Sequence, residues 1–215
     1  MANDVYTERD MNRFRATIFA ILCVFLSPLA NADDEDSGAY VGVSVGRASS
    51  NGKYLAQQNA EHLAANGYTY ANVDITSSSA GYKIYWGYQF NRYVATEVIY
   101  ADLGSFRMSG FTAGPSYDLT GYTRIRTTGL DVVGMIPVTP IISGLVRIGF
   151  VQGKNKNSVS FVNGGSTSWT DSDSGKKLGF GVEWEIAHLL HLRIENEYYF
   201  NDPNKRIKLI SIGVR

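Results

Sequence analysis

Residues 81–90, GYKIYWGYQF, and 93–104, YVATEVIYADLG, are two stretches of period-two alternation separated by Asn91 and Arg92. They read as a β-hairpin. In the first arm Tyr82, Ile84, Trp86, Tyr88 and Phe90 share one face, while Gly81, Lys83, Tyr85, Gly87 and Gln89 share the other. In the second arm Val94, Thr96, Val98 and Tyr100 oppose Ala95, Glu97, Ile99 and Ala101. The face opposite the aromatics carries glycines and single charges instead of the long polar side chains that hydrate a soluble sheet. The pattern predicts an inside-out barrel, apolar on its outer surface.

The N-terminal part belongs to export rather than to the fold. In MNRFRATIFAILCVFLSPLANA, Arg13 and Arg15 precede an apolar run from Ala16 to Leu26, and Ala30-Asn31-Ala32 offers a small-residue cleavage site. These are the three parts of a secretory signal peptide, residues 1–32. The run is shorter than the roughly 20 residues a spanning helix needs. Residues 1–10 carry four charges ahead of that signal and read as an upstream mis-start, with Met11 as the expected true start. Residues 33–215 form the expected mature domain, and since no later stretch suits a spanning helix, membrane insertion there must use strands. The single cysteine, Cys23, lies in the signal, which leaves the mature chain without a disulfide, thiol chemistry or a cysteine metal site. Lys plus Arg and Asp plus Glu both number 20, a balance that argues against a nucleic-acid partner.

Period-two runs bounded by turn residues place eight strands at about 39–48, 79–90, 93–104, 122–136, 141–152, 176–187, 189–200 and 205–215. The connections alternate. Asn91-Arg92, Pro137 to Pro140 and the residues around His188 are tight, whereas 49–78, 105–121 and 153–175 are long, polar and rich in Gly, Ser, Asn and Tyr. A membrane barrel alternates in this way, with short periplasmic turns and longer extracellular loops. A soluble eight-stranded barrel of the lipocalin type shares the strand count, and the polar face separates the two. That face holds Tyr40, Gly42, Ser44 and Gly46, then Gly179, Gly181, Glu183 and Glu185, then Arg193, Glu195 and Glu197. Small residues with a few pairable charges suit a narrow lumen. Aromatics gather at strand ends: Tyr88, Phe90, Tyr93 and Trp184 toward the short turns, Tyr100, Tyr198 and Phe200 toward the long loops. With Trp86 they are the expected membrane-interface aromatics. The fold class is therefore all-β, an eight-stranded antiparallel up-and-down transmembrane β-barrel of the Gram-negative outer membrane, with both ends periplasmic.

The run from Gly87 to Gly104 resembles the G-Y-x-x-N-x-Y-x-x-x-E-x-x-Y-x-x-L-G pattern of the OmpA-type outer-membrane β-barrel family. Gly129 to Pro137 with Arg147-Ile148-Gly149, and Gly179 to Trp184 with Leu192 to Glu195, resemble two further hairpins of that family. The resemblance covers 39–215 and implies a structural or porin-like role in envelope integrity, with a small gated pore or an adhesin or receptor role in some members. It implies lipid, lipopolysaccharide and the barrel-assembly machinery as partners, and no cofactor. The chain departs from the family pattern in two respects: a peptidoglycan-binding domain does not follow the eighth strand, and Ile210 to Arg215 lacks the terminal aromatic that the assembly machinery reads.

Lys83, Glu97, Asp131, Arg147, Glu183, Arg193 and Glu195 fall on the inward parity, where unpaired charges are costly. The resemblance implies that Glu97 with Arg193, Lys83 or Arg147, opposite Glu183, forms a lumenal salt-bridge network, either a structural plug or a switchable gate for ions. His188 and His191 are three apart in a strand and face opposite sides, which argues against a shared metal. His62, near Glu61 in the first long loop, supports only a remote reading as a lipid-modifying enzyme, and no catalytic residue is assigned. Tyr54, Tyr68, Tyr70, Phe111, Tyr117, Phe161 and Trp169 stand among small polar residues in the long loops, a composition suited to recognition of a host or surface ligand.

Overall fold

The computed structural model describes residues 37–65, 67, 69–114, 118–162, 165–202 and 205–215, so the signal segment and the upstream decapeptide lie outside the described residues. The elements run β1 (Gly38–Ser50), α1 (Gly52–Ala65), β2 (Thr69–Ile75), β3 (Ser78–Asn91), β4 (Val94–Gly114), β5 (Asp118–Thr139), β6 (Ile142–Phe161), β7 (Gly165–Ala187), β8 (Leu190–Asp202) and β9 (Lys205–Val214). All pairings are antiparallel, and pairing of β4 with β5 and of β1 with β9 closes eight strands into a ring. Tyr93 and Val94 donate their amides to Asn91 Oδ1 at 2.8 and 3.0 Å, and this side-chain turn sets the β3–β4 hairpin read from the sequence.

Side chains alternate as the inside-out reading requires. Val41, Val43 and Val45, then Leu130 and Val132, Ile148 and Phe150, Leu178, Phe180, Val182 and Trp184, and Ile210 and Ile212 project outward, with Phe150 70 % exposed. An apolar surface that encircles the molecule is a surface for lipid rather than for water. The lipocalin arrangement is overturned by this facing, because charges, not an apolar cavity, fill the interior. Gly42 and Gly87 serve that interior: a Cβ on either would collide with the ring of Tyr85 or Tyr40.

Two of the expected long loops are mostly strand. β4 and β5 continue to Gly114 and from Asp118, and β6 and β7 continue to Phe161 and from Gly165, so the described parts of 105–121 and 153–175 are paired strands. Their alternation persists, with Asn155, Asn157 and Val159 inward and Lys154, Lys156 and Ser160 outward. Along Lys154 to Ser158 both faces are polar, which removes the contrast that marks a strand in sequence.

The expected loop 49–78 contains α1 and β2. Leu55, Asn59 and Leu63 repeat every four residues and form one buried stripe. Asn51 precedes the helix and suits an N-cap. Beyond the helix, Gly67 adopts φ +87° and donates its amide to the Ala64 carbonyl at 3.0 Å. β2 then pairs with the outer part of β4, from Ile75 opposite Met108. The handover from β3 to β2 occurs at a bulge between Asp102 and Ser105, where Gly104 takes φ +84° and lies against Ala80 O and the Ser79 side chain.

Gly104→Ala is expected to destabilise the barrel by at least about 1 kcal/mol, since it combines a left-handed backbone with a backbone collision. Loss of the fast-migrating unboiled band on gels at a lower temperature than for the parent protein checks this.

Candidate functional site

The lumen is filled in layers. At the short-turn end Ala95, Val133, Met135 and Leu145 cluster with Tyr40 beside them. At the long-hairpin end Leu63 of α1 packs with Met108, Leu119 and Val159, while Leu55 joins Phe106, Ile125 and Tyr199. The helix thus stoppers the barrel from within. Beneath it Asn59 donates to Thr123 Oγ1 at 3.3 Å, and Thr123 donates to Asn157 Oδ1 at 2.7 Å.

Between these layers lies an ionic network contributed by six strands, β3 to β8. Arg193 on β8 donates to Glu97 on β4 at 2.6 Å and also bonds Glu183 on β7. Arg147 on β6 reaches Glu97 at 2.7 Å and Asp131 at 2.8 Å and also bonds Glu195. Lys83 on β3 bonds Glu195 at 2.6 Å and Glu197 at 3.1 Å. Lys177 bonds Glu197 at 3.0 Å and pairs with Asp131. Arg215, beyond β9, grips Glu183 through two bonds of 2.7 and 2.6 Å. Lys83, Arg147, Lys177, Arg193 and Arg215 face Glu97, Asp131, Glu183, Glu195 and Glu197, so the cluster is neutral. Tyr40 donates to Glu97 Oε1 at 2.7 Å and Tyr199 to Glu197 Oε2 at 3.1 Å, which occupies further carboxylate lone pairs.

A family model, OmpA-like transmembrane domain, matches residues 34–210. The chain belongs to that family. No curated protein matches the chain. Among solved structures it is similar to Ail, the attachment invasion locus protein of Yersinia pestis in complex with the heparin analogue sucrose octasulfate, at 15 % identity, TM-score 0.49, covering 83 % of this chain and 97 % of that one. Neisserial surface protein A matches at 18 % identity, TM-score 0.46, with 82 % and 97 % covered. The N-terminal β-barrel domain of Pseudomonas aeruginosa OprF matches at 12 % identity, TM-score 0.45, again with 82 % and 97 % covered.

In this OmpA-like barrel, Lys83, Glu97, Asp131, Arg147, Glu183, Arg193 and Glu195 are all buried and mutually connected. Sequence reasoning left Lys177, Glu197 and Arg215 out of the network. Glu197 was already on the inward face, and Lys177 shares the parity of Gly179 and Glu183, so the same alternation could have supplied both. Trp86, Tyr88, Phe90, Tyr93, Tyr100, Trp184, Tyr198 and Phe200 lie on the outer surface, with Tyr88 edge-on to Phe90 at 5.2 Å and Tyr198 beside Phe200 at 6.4 Å.

His62 is not on the outer surface facing lipid. It stacks on Trp169 in the barrel mouth, ring centroids 4.0 Å apart, and lines a cavity of about 260 Å³ with Asn59, Asn155, Asn157 and Asp171. His191 Nδ1 lies 3.4 Å from Glu183, and His188 is exposed in the adjoining turn. Among the described residues no group of three or more His, Cys, Asp or Glu side chains is placed to hold a metal.

Removing one member of a buried ion group strands its partners. Arg193→Met is expected to destabilise the barrel by about 3–5 kcal/mol, and pairing it with Glu97→Gln is expected to recover part of that loss. Urea unfolding in lipid vesicles, read as a mutant cycle, measures both.

Proposed function

We propose that this outer-membrane barrel has a structural role and is closed at rest, with its short turns in the periplasm and its long hairpins outside. The observation that carries this reading is the continuity of the lumenal filling. A neutral ionic network spans the wall from β3 to β8 and lies between an apolar layer and a helical stopper. An eight-stranded interior is only wide enough for its own side chains, so an ion would have to displace a salt bridge and its desolvated partners to pass.

Planar-bilayer recordings are expected to show no steady conductance for the parent protein and brief small openings for Arg193→Met. A stable ohmic channel in the parent would overturn the closed reading in favour of a pore.

A second reading, surface recognition, is favoured by one feature. The β4–β5 and β6–β7 hairpins hold regular pairing well past the apolar band, as far as Phe111 opposite Asp118 and Phe161 opposite Gly165. A rigid ladder of this kind presents residues at fixed spacing. Trimming 108–120 while keeping the band intact is expected to reduce cell-surface attachment if the hairpins recognise a ligand, and unaltered attachment would count against that role.

A further inference from the structure

The cavity in the barrel mouth takes no part in closing the lumen. It lies between α1 and the inner faces of β5, β6 and β7, and its volume of about 260 Å³ falls just below the range of drug-sized sites, which suits a small ligand. Its rim and floor differ in chemistry. Glu61 of α1 and Asp171 of β7 are exposed at the rim, whereas Asn59, Thr123, Asn155 and Asn157 are buried at the floor. Leu55 and the indole of Trp169 supply the apolar part of the wall.

The floor has committed most of its donors. Asn59 gives Nδ2 to the Leu55 carbonyl at 2.8 Å and to Thr123 Oγ1 at 3.3 Å, and Thr123 gives its one hydroxyl proton to Asn157 Oδ1 at 2.7 Å. Asn157 in turn donates to Asp171 Oδ2 at 3.1 Å, and Asn155 donates to Asp173 Oδ2 at 3.1 Å. What remains is chiefly acceptor capacity. Asn155 is 6 % exposed, and its Oδ1 has no hydrogen-bond partner among the described residues. A buried amide oxygen left in this state loses its hydration without return. In a cavity wall it points to a donor that the protein does not itself supply.

The charge distribution agrees with the donor count. Among the described residues neither Asp171 nor Glu61 has a Lys or Arg partner, and Glu61 accepts from the Gln57 amide at 2.9 Å. Lys154 and Lys156 alternate with Asn155 and Asn157 along β6, so they project from the outer face of the wall. His62, stacked on Trp169, is the only basic group on the lining among the described residues. An anion would meet two carboxylates here. A divalent metal needs several oxygen ligands around one point, which the carboxylates are not grouped to supply. A positively charged ligand that brings its own N–H donors matches both the charge and the acceptors.

We propose that this cavity is a binding site for a small organic ammonium ion with an aliphatic body. Its N–H groups bond Asn155 Oδ1 and the Asp171 carboxylate, the latter with charge assistance, and its methylenes lie along Leu55 and Trp169. Asn59, Glu61 and His62 come from the helix and the other lining groups from the wall, so the bound ion joins the stopper to the barrel. Binding requires no opening of the lumen.

The test uses the full mature barrel in detergent micelles, carrying Trp86→Phe and Trp184→Phe so that Trp169 is its single indole. At constant ionic strength 1,4-diaminobutane is expected to change Trp169 fluorescence saturably, and butan-1-ol is expected to leave it unchanged. Asp171→Asn is expected to weaken diamine binding about tenfold, the worth of one charge-assisted bond. Asn155→Ala, which removes the orphaned oxygen, is expected to weaken it as well. Asp118→Asn, which removes an exposed carboxylate outside the cavity, is expected to leave the affinity as it was. Folding of each variant is read from its fast-migrating unboiled band. A folded Asp171→Asn protein that binds the diamine as the parent does overturns the proposal, as does the lack of any saturable response in the parent. A response to magnesium chloride as strong as that to the diamine also overturns it, by assigning the cavity to a metal ion. So does a saturable response to glucose without one to the diamine, by assigning the cavity to a neutral sugar.

Discussion

A ring of eight strands satisfies every backbone donor and acceptor in a lipid environment, but it encloses a space that only side chains can fill. The outer surface is committed to hydrocarbon, so polar residues can be accommodated only inside. This chain uses ion pairs for that filling. Each carboxylate in the middle layer meets at least one Arg or Lys, and the larger inward side chains sit across from glycines that leave room for them, as Tyr85 does against Gly42 and Arg147 against Gly179. Five cations and five carboxylates give a neutral interior. Its value lies in specification more than in net stability, because a network of this kind fits one register and a slip of one residue would turn every charge toward lipid.

Two residue periods meet in the barrel mouth. Period two continues along the hairpins, whereas the fourfold repeat of Leu55, Asn59 and Leu63 brings one turn after another of α1 against the inward faces of β4, β5 and β6. The bulge at Gly104 lets both geometries coexist. It lies where β4 ends its pairing with β3 and, farther along, takes up pairing with β2.

The strands of the membrane band were legible because lipid on one face and a packed lumen on the other impose opposite chemistries on alternate residues, as in Tyr82-Lys83-Ile84-Tyr85-Trp86. Legibility ended where that contrast ended. Asn155-Lys156-Asn157-Ser158 is strand in the structure and loop by composition, because water bathes the outer face and polar groups line the inner one. The helix was hidden for a different reason: among the described residues its buried stripe has two leucines, Leu55 and Leu63, with Asn59 between them bonded to Thr123 and to the Leu55 carbonyl at 2.8 Å. The charge-bearing positions followed from parity alone. The omissions fell on Glu197, whose inward parity was read but not its pairing, on Lys177, which sits where the apolar band gives way to the hairpin, and on Arg215, which lies past the last strand.

The network joins parts of the chain that are far apart in sequence. Lys83 waits for Glu195 and Glu197, more than a hundred residues later, and Glu97 for Arg193. A sheet that has laid down β3 and β4 but not β8 holds charges with nowhere to discharge in a low-dielectric interior. Glu97 meets Arg147 once β6 is in place, whereas Lys83 finds its carboxylates only when β8 arrives. The finished lumen therefore ties the early strand β3 to the late strand β8. Burying Lys83 without the carboxylates of β8 would leave an unpaired charge in the lumen, so the ionic layer and the ring of strands are complete together.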